Sequence, residues 1–222
     1  FDLTVPLAKF VAQNLYNLSY PFRRYQIGKV FRGERPQKGR YREFYQCDID
    51  IIGDGELSVL NDAEIPSIIY TTFKNLGFDN FTIRVNNRKI LGGFFAELGY
   101  EDKITDILRI IDKVEKIGVK TVKEILAEME ILPENVDRII EFISIKGSAS
   151  EVISKLRSLN IKNEMFNLGI DELEIVSNNV EAFGLPAENY KIDLTIARGL
   201  DYYTGTVYET VLNDYPQIGS IC

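Results

Sequence analysis

Basic and acidic side chains concentrate in one early segment of the chain, where their spacing is suited to phosphate chemistry. The basic residues end an apolar strand pattern and continue through the next ten residues, at Arg32, Arg35, Lys38, Arg40 and Arg42. Arginine forks bind phosphate oxygens in pairs, so this stretch can surround several of them. Asp48 and Asp50 follow two residues apart and therefore share one face of a strand. Such a face suits a zwitterionic or cationic substrate beside a polyphosphate, and a solvated charged surface is the alternative.

Composition limits the chemistry that is open to the chain. The 222 residues include no histidine and only two cysteines, Cys47 and Cys222. This excludes Ser-His and Cys-His nucleophilic pairs, imidazole bases and zinc sites made of histidine or of four cysteines within this chain. The remaining chemistry uses carboxylates, arginines, lysines or tyrosines, or depends on positioning and charge. We expect no dedicated metal site.

Size and charge indicate a globular protein with one local basic region. Apolar residues make up 45% and charged residues 27%, and no apolar run reaches the roughly 18 residues of a membrane span. With no leader pattern and few cysteines, we expect a cytoplasmic protein without membrane association. The net charge is −7, yet residues 20–46 carry eight basic and two acidic side chains. Overall acidity argues against non-specific nucleic-acid coating, while the basic segment can attract phosphate.

The basic segment is predicted to lie on a β-hairpin. Apolar and polar residues alternate in residues 25–32 and again in 44–52, which indicates two strands. Two glycines and a proline interrupt residues 33–42, so this part is predicted to be a long loop. Helical spacing in residues 7–15 predicts an amphipathic helix before the hairpin.

The rest of the chain changes from mixed to helical patterns and back. Residues 56–76 predict a helix, and residues 81–85 a short strand followed by a turn at Asn86 and Asn87. Between about 88 and 184 four apolar faces repeat at helical spacing without a strong strand signal. Strand-like alternation returns at 190–194 and 206–211. We therefore expect a mixed fold that contains an all-helical module.

Three separated segments indicate a family. Residues 30–44 read VFRGERPQKGRYREF, residues 197–205 read ARGLDYYTG, and residues 1–6 read FDLTVP. The first resembles motif 2 of class II aminoacyl-tRNA synthetases in its histidyl form, and the second resembles the histidine-specific signature of histidyl-tRNA synthetases. The third is similar to the family segment that binds the substrate's amino group. The resemblance covers essentially the whole chain.

The resemblance implies a fold and a division of the chain. The fold is α+β: a class II synthetase-like antiparallel sheet flanked by helices, with an all-helical insertion. Residues 1–87 would form the first part of the catalytic core, 88–184 the insertion and 185–222 the second part of the core. Family motif 1, motif 3 and the anticodon-binding domain do not occur in these residues. The resemblance thus implies a catalytic-domain fragment that by itself is weakly active or inactive.

The resemblance also implies roles for individual side chains. The catalytic residues would be Arg198, which stabilises charge on the α-phosphate of ATP, and Arg32, which grips that phosphate and the substrate carboxylate. The side chains that bind ATP would be Arg32, Glu34, Arg40 and Phe44, with Phe44 stacking on adenine. The side chains that bind histidine would be Asp2, Thr4 and Gln46 at the α-amino group, Asp50 and Tyr203 at the imidazole nitrogens, and Tyr41 and Tyr202 nearby in the pocket.

Each implied role has a structural alternative. Arg32 could form a surface ion pair, Phe44 could belong to the core, and Asp2 could cap a helix. The tyrosines could pack against the sheet. Asp50 stands where the family often has glutamate, so its carboxylate reaches one methylene less far.

The implied function is that of a histidine–tRNA ligase. ATP and histidine would give histidyl-adenylate and then histidyl-tRNA, with Mg²⁺ accompanying ATP, tRNA(His) bound through the parent protein, and a homodimer of the full-length protein. The helical insertion would contact the tRNA acceptor stem or be purely structural. Two rivals are a non-catalytic regulatory subunit of ATP phosphoribosyltransferase and a tRNA-sensing pseudo-synthetase domain. The presence of Arg32, Arg198, Tyr202 and Tyr203 favours the enzyme.

Overall fold

The computed structural model describes residues 1–36, 39–111, 113–196 and 203–222. The chain forms two compact units, Phe1–Asn61 and Asp62–Cys222. None of the helices in the described residues combines the length and apolar character that a membrane crossing needs. The three-part division expected from the sequence remains a prediction.

The first unit is built on the hairpin predicted from the sequence. Helix α1 (Thr4–Asn14) precedes strands β1 (Phe22–Phe31) and β2 (Glu43–Ile52). The strands pair antiparallel over their whole length, from Phe22 opposite Ile52 to Phe31 opposite Glu43. β1 begins three residues earlier than predicted, because two consecutive arginines interrupt the apolar–polar alternation at its start.

The second unit contains a three-stranded mixed sheet. Helix α2 (Leu60–Asn75) leads into β3 (Phe81–Asn87), which lies between β4 (Tyr190–Ile192) and β5 (Thr206–Leu212). β3 pairs antiparallel with β5 and parallel with β4. A parallel pair requires a long crossover connection, and the residues between β3 and β4 supply it. The predicted α+β class is confirmed, and the parallel pairing is a detail that alternation alone does not give.

Helices fill the connection between β3 and β4, as the sequence predicted. They are α3 (Arg88–Glu97), α4 (Ile104–Ile111), α5 (Val114–Glu128), α6 (Pro133–Ile143), α7 (Ala149–Ser158) and α8 (Glu164–Asn179). Their apolar faces form the main hydrophobic core, in which Ile107, Leu126 and Ile139 are fully buried. Burial of these faces stabilises helices that would be marginal alone.

The turn predicted at Asn86 and Asn87 is wrong. Both residues complete β3 and are fully buried. The Asn86 amide donates to the backbone carbonyl of Ile196 at 3.0 Å. The Asn87 side chain accepts the backbone N–H of Lys89 at 2.9 Å and so caps α3. Asparagine favours turns because its side chain bonds to nearby backbone, and here the same property starts a helix.

Candidate active site

One face of the hairpin carries three of the candidate residues of the first unit, Phe44, Gln46 and Asp50. Side chains that oppose each other across an antiparallel pair project on the same side, and this side alternates along each strand. The even-numbered residues therefore share a face, called the site face below. Its cross-strand pairs are Arg24 with Asp50, Gln26 with Asp48, Gly28 with Gln46, and Val30 with Phe44.

The start of the chain is anchored to the same face. The Phe31 backbone N–H donates to the Phe1 carbonyl at 2.7 Å. Leu3 is buried, and its Cδ2 atom lies 3.6 Å from where a Cβ at Gly28 would stand. Leu3 therefore packs against β1 at Gly28, the residue that lies opposite Gln46 in the hairpin. Asp2 and Thr4, which flank Leu3, belong to the segment that these two contacts hold against β1.

Asp2 also takes the alternative role that the sequence allowed. Its Oδ1 atom accepts the backbone N–H of Val5 at 3.1 Å, within the first turn of α1. This bond satisfies one of the N–H groups that a helix start leaves unpaired. Asp2 and Thr4 are both exposed. One carboxylate oxygen of Asp2 is therefore committed to the helix, and its role toward a substrate remains a prediction.

Arg32 and Phe44 lie together at one end of the site face. The guanidinium carbon of Arg32 is 5.2 Å from the centre of the Phe44 ring, a cation–π distance. The Arg32 backbone N–H donates to the Arg42 carbonyl at 2.9 Å, which extends the ladder one residue beyond β1. Phe44 is half-buried rather than part of the core. An arginine beside an aromatic ring can bind a phosphate next to a stacked base.

The loop residues beyond Arg32 are exposed and linked to one another. Arg40 Nη1 lies 3.3 Å from Glu34 Oε2, and Arg42 Nε donates to the Glu34 carbonyl at 3.3 Å. Both side chains of the Glu34–Arg40 pair are more than half exposed, so the pair contributes little stability and can exchange for a ligand. Tyr41 is 70% exposed, so its side chain does not pack against the sheet, which was the structural alternative to a role in substrate binding. Lys38 lies outside the described residues.

Asp50 stands at the other end of the site face, next to Arg24. Arg24 Nη2 lies 2.7 Å from Asp50 Oδ2. Burial raises the pKa of Asp50 above its ordinary value, Arg24 lowers that pKa, and Asp48 raises it. The buried Gln46 Oε1 atom has no hydrogen-bond partner among the described residues. Buried polar atoms without hydrogen-bond partners are rare in folded proteins. The unpaired Gln46 Oε1 atom therefore indicates that a ligand or another part of the protein covers this face.

In the second unit, a backbone hydrogen bond holds the C-terminal end of residues 197–205, the segment that resembles the histidine-specific signature. Tyr203 is 46% exposed, whereas Arg198 and Tyr202 lie outside the described residues. The Gly205 carbonyl accepts the backbone N–H of Arg88 at 2.9 Å. The residues on either side of Arg88 are bound by Glu172 of α8, which pairs with the Lys89 ammonium and accepts the Asn87 amide at 2.9 Å. α8 therefore supports the strand–helix junction on which the signature segment ends.

Metal binding by protein side chains alone is not supported by the described residues. Within the described ranges, no group of three or more acidic or cysteine side chains is arranged to hold an ion. Asp48 and Asp50 share the site face, and Asp50 is already paired with Arg24.

Comparison with known proteins identifies the family. The model of the histidyl-tRNA synthetase family matches residues 1–218. This chain belongs to that family. It is 64% identical to the histidine–tRNA ligase of Clostridium tetani over all 222 residues, which are 50% of that protein. The chain thus spans about half the length of the curated relatives it matches.

Solved structures support the same assignment. The crystal structure of histidyl-tRNA synthetase from Nostoc sp. PCC 7120 matches the whole chain with a TM-score of 0.94 and 48% identity, over 51% of that protein. An ATP phosphoribosyltransferase regulatory subunit/histidyl-tRNA synthetase from Bacillus halodurans C matches 96% of the chain with a TM-score of 0.80 and 24% identity. At that identity the likeness shows a shared fold alone.

Two groups of residues in the site were missed by sequence reasoning. Arg24 becomes visible only when the hairpin register is known, because it then lies opposite Asp50. The length of the loop left that register open. The pair of Lys89 and Glu172 joins residues 83 positions apart, and no local pattern indicates such a contact.

Proposed function

We propose that this chain carries the histidine-activating site of a histidine–tRNA ligase. Histidine and ATP would form histidyl-adenylate, and the histidyl group would then pass to tRNA(His). The observation that carries the proposal is the order of side chains along the site face. The adenine-stacking candidate Phe44, the amino-group candidate Gln46 and the imidazole candidate Asp50 follow one another on β2. Adenine, α-amino group and imidazole follow in the same order along histidyl-adenylate.

The proposed reaction needs the kind of residues that this face offers. A carboxylate oxygen of histidine attacks the α-phosphorus of ATP, the bond to the bridging oxygen breaks, and pyrophosphate leaves with that electron pair. No proton has to be transferred in this activation step, so the absence of histidine in the chain is no obstacle to it. Catalysis consists of alignment and of charge stabilisation. Arg32 beside Phe44 would neutralise the α-phosphate, and Arg198 would assist from the signature segment.

Selection of histidine would follow from polar groups that only an imidazole ring can satisfy. A carboxylate at Asp50 and a phenol at Tyr203 would each bond one ring nitrogen of the imidazole. An apolar side chain of similar size would leave both groups unpaired, and sites of this type discriminate by about 10⁴–10⁵-fold. Tyr41 and Tyr202 would complete the pocket.

The wider context of the reaction is part of the same proposal. The whole protein would act as a homodimer in the cytoplasm, with Mg²⁺ bound to the phosphates of ATP. The helical residues between β3 and β4 are poor in basic clusters, so contact with tRNA there would depend on shape. A regulatory or tRNA-sensing role is the rival, and the likeness to the Bacillus halodurans protein bears on the fold alone.

Calorimetry on the 222-residue chain tests the proposal. With ATP present, we expect L-histidine to bind and a panel of other amino acids not to bind. Asp50→Ala should abolish the binding of histidine, and Tyr25→Ala, at an exposed position on the opposite face of the hairpin, should leave it unchanged. A folded chain that does not bind histidine would contradict the proposal that these residues form the histidine site.

A further inference from the structure

Arg24 is paired with Asp50, the residue proposed to bind the imidazole ring. It lies directly opposite Asp50 in the hairpin, with Nη2 at 2.7 Å from Oδ2. Only 11% of the Arg24 side chain is exposed, against 31% for Asp50. A charge this well covered is costly unless it is paired, so the position of Arg24 depends on the carboxylate.

The guanidinium of Arg24 is oriented by a second contact. Its Nη1 atom donates to the Gln26 Oε1 atom at 2.8 Å, along the same strand. With Nη1 hydrogen-bonded to Gln26 and Nη2 in an ion pair with Asp50, the planar group has little freedom to rotate. Asp50 is thus held from one side by an arginine that is itself fixed.

The contact leaves part of the carboxylate available. Arg24 engages Oδ2, and Oδ1 of Asp50 has no partner among the described residues. A partner fixed on one side of the carboxylate can therefore aim the remaining oxygen.

We propose that Arg24 is a positioning residue for histidine recognition: it keeps the Asp50 carboxylate ionised and fixed, so that Oδ1 can accept the N–H of the substrate's imidazole ring. This inference rests on the proposed function and adds to it a residue that would not touch the substrate. It also explains why an arginine occupies a well-covered place on the site face rather than a solvated one.

The electrostatics of Asp50 agree with this role. Among the described residues, burial and the neighbouring Asp48 raise the pKa of Asp50, and Arg24 lowers it. Without Arg24, only burial and Asp48 would act on the pKa of Asp50, and both raise it. The carboxyl would then become protonated at a higher pH and would turn from an acceptor into a donor.

A carbon-13 NMR titration of the aspartate carboxyls tests the first part without any ligand. The Asp50 signal is assigned by its loss in Asp50→Asn. We expect Arg24→Met to raise the pKa of Asp50 and Arg23→Met to leave it unchanged. Arg23 is the matched control, because it is the neighbouring arginine on the opposite face and bonds Asn61 instead. An unchanged pKa in Arg24→Met would overturn the proposal.

Calorimetry with L-histidine and with ATP tests the second part. We expect Arg24→Met to weaken histidine binding about tenfold or more and to leave ATP binding unchanged, with part of the loss restored in Arg24→Lys. In the Asp50→Asn background, Arg24→Met should cause no further loss. Equal losses for both ligands, or additive losses in the double variant, would show a merely structural role and overturn the proposal. A wild-type chain that binds no histidine would instead contradict the proposed function, and the NMR titration would still decide whether Arg24 controls Asp50.

Discussion

Gly93 lies where α3 closely approaches α8, and replacing it by alanine tests how these helices are packed. A Cβ at position 93 would lie 2.7 Å from the Phe166 Cα atom on α8 and closer still to its backbone nitrogen. Cβ atoms in real proteins essentially never approach within 3.0 Å of another heavy atom. Because the obstacle is backbone, no side-chain rotation relieves it, and α3 and α8 must move apart.

The expected cost follows from two opposing effects. Overpacking a buried position costs about 1–3 kcal/mol, and a clash with backbone belongs at the upper end. Alanine in place of glycine inside a helix returns about 0.5–1 kcal/mol. We therefore expect Gly93→Ala to lower the free energy of unfolding by about 2 kcal/mol, or the midpoint of thermal unfolding by roughly 4–8 °C.

The adjacent glycine provides the control. A Cβ at Gly92 would meet only the Met165 sulfur, at 3.3 Å, and that flexible side chain can move. Gly92→Ala should therefore be neutral or more stable by about 0.5 kcal/mol. Urea and thermal unfolding of both variants, followed by circular dichroism, make the comparison. If the two variants unfold within about 0.5 kcal/mol of each other, the close approach of α3 and α8 is not as described.

Three further substitutions probe other parts of the second unit. Ser148→Ala removes the capping box that Ser148 forms with Glu151 at the start of α7, and urea unfolding should show a loss of about 1 kcal/mol. Tyr100→Phe deletes the hydroxyl that accepts the Leu132 backbone N–H at 3.1 Å, and the same measurement should show a loss of about 1–2 kcal/mol. Burial raises the pKa of Asp62 above its ordinary value of 3.8, so the folded state favours the protonated form and loses stability as pH rises through that pKa. Asp62→Asn should therefore increase stability relative to wild type at pH 7 and gain nothing below pH 3.8; an equal effect at both pH values would contradict this.

Local pattern was sufficient for most of the elements. Alternation predicted both strands of the hairpin, and helical spacing predicted the faces that bury Ile107 and Leu126. Alternation and helical spacing arise because regularly spaced side chains face the core, so both can be recognised in the sequence. The direction of strand pairing cannot be recognised in this way, because β4 is too short for its pattern to show that it runs parallel to β3.

The candidate site likewise contains residues that the sequence revealed and residues that it did not. Arg32, Gln46 and Asp50 were recognisable from their motif, and the structure places all three on one hairpin. The supporting residues were not recognisable, because their roles depend on tertiary neighbours. The role of Arg24 can be recognised only once the strand register is known, and that of Glu172 only once the packing of α8 against the start of α3 is known. Sequence reasoning therefore found the residues expected to touch substrate and missed those that hold them.

The central claim, that these 222 residues activate histidine, is tested most directly by histidine-dependent exchange of pyrophosphate into ATP. The chain would replace the matching half of the Clostridium tetani histidine–tRNA ligase, which supplies the remaining length. We predict exchange with histidine and with no other amino acid, and a loss of about 10²–10³-fold in Arg198→Ala. A folded hybrid enzyme that binds both ATP and histidine yet shows no exchange would contradict the claim and favour a sensing or regulatory role.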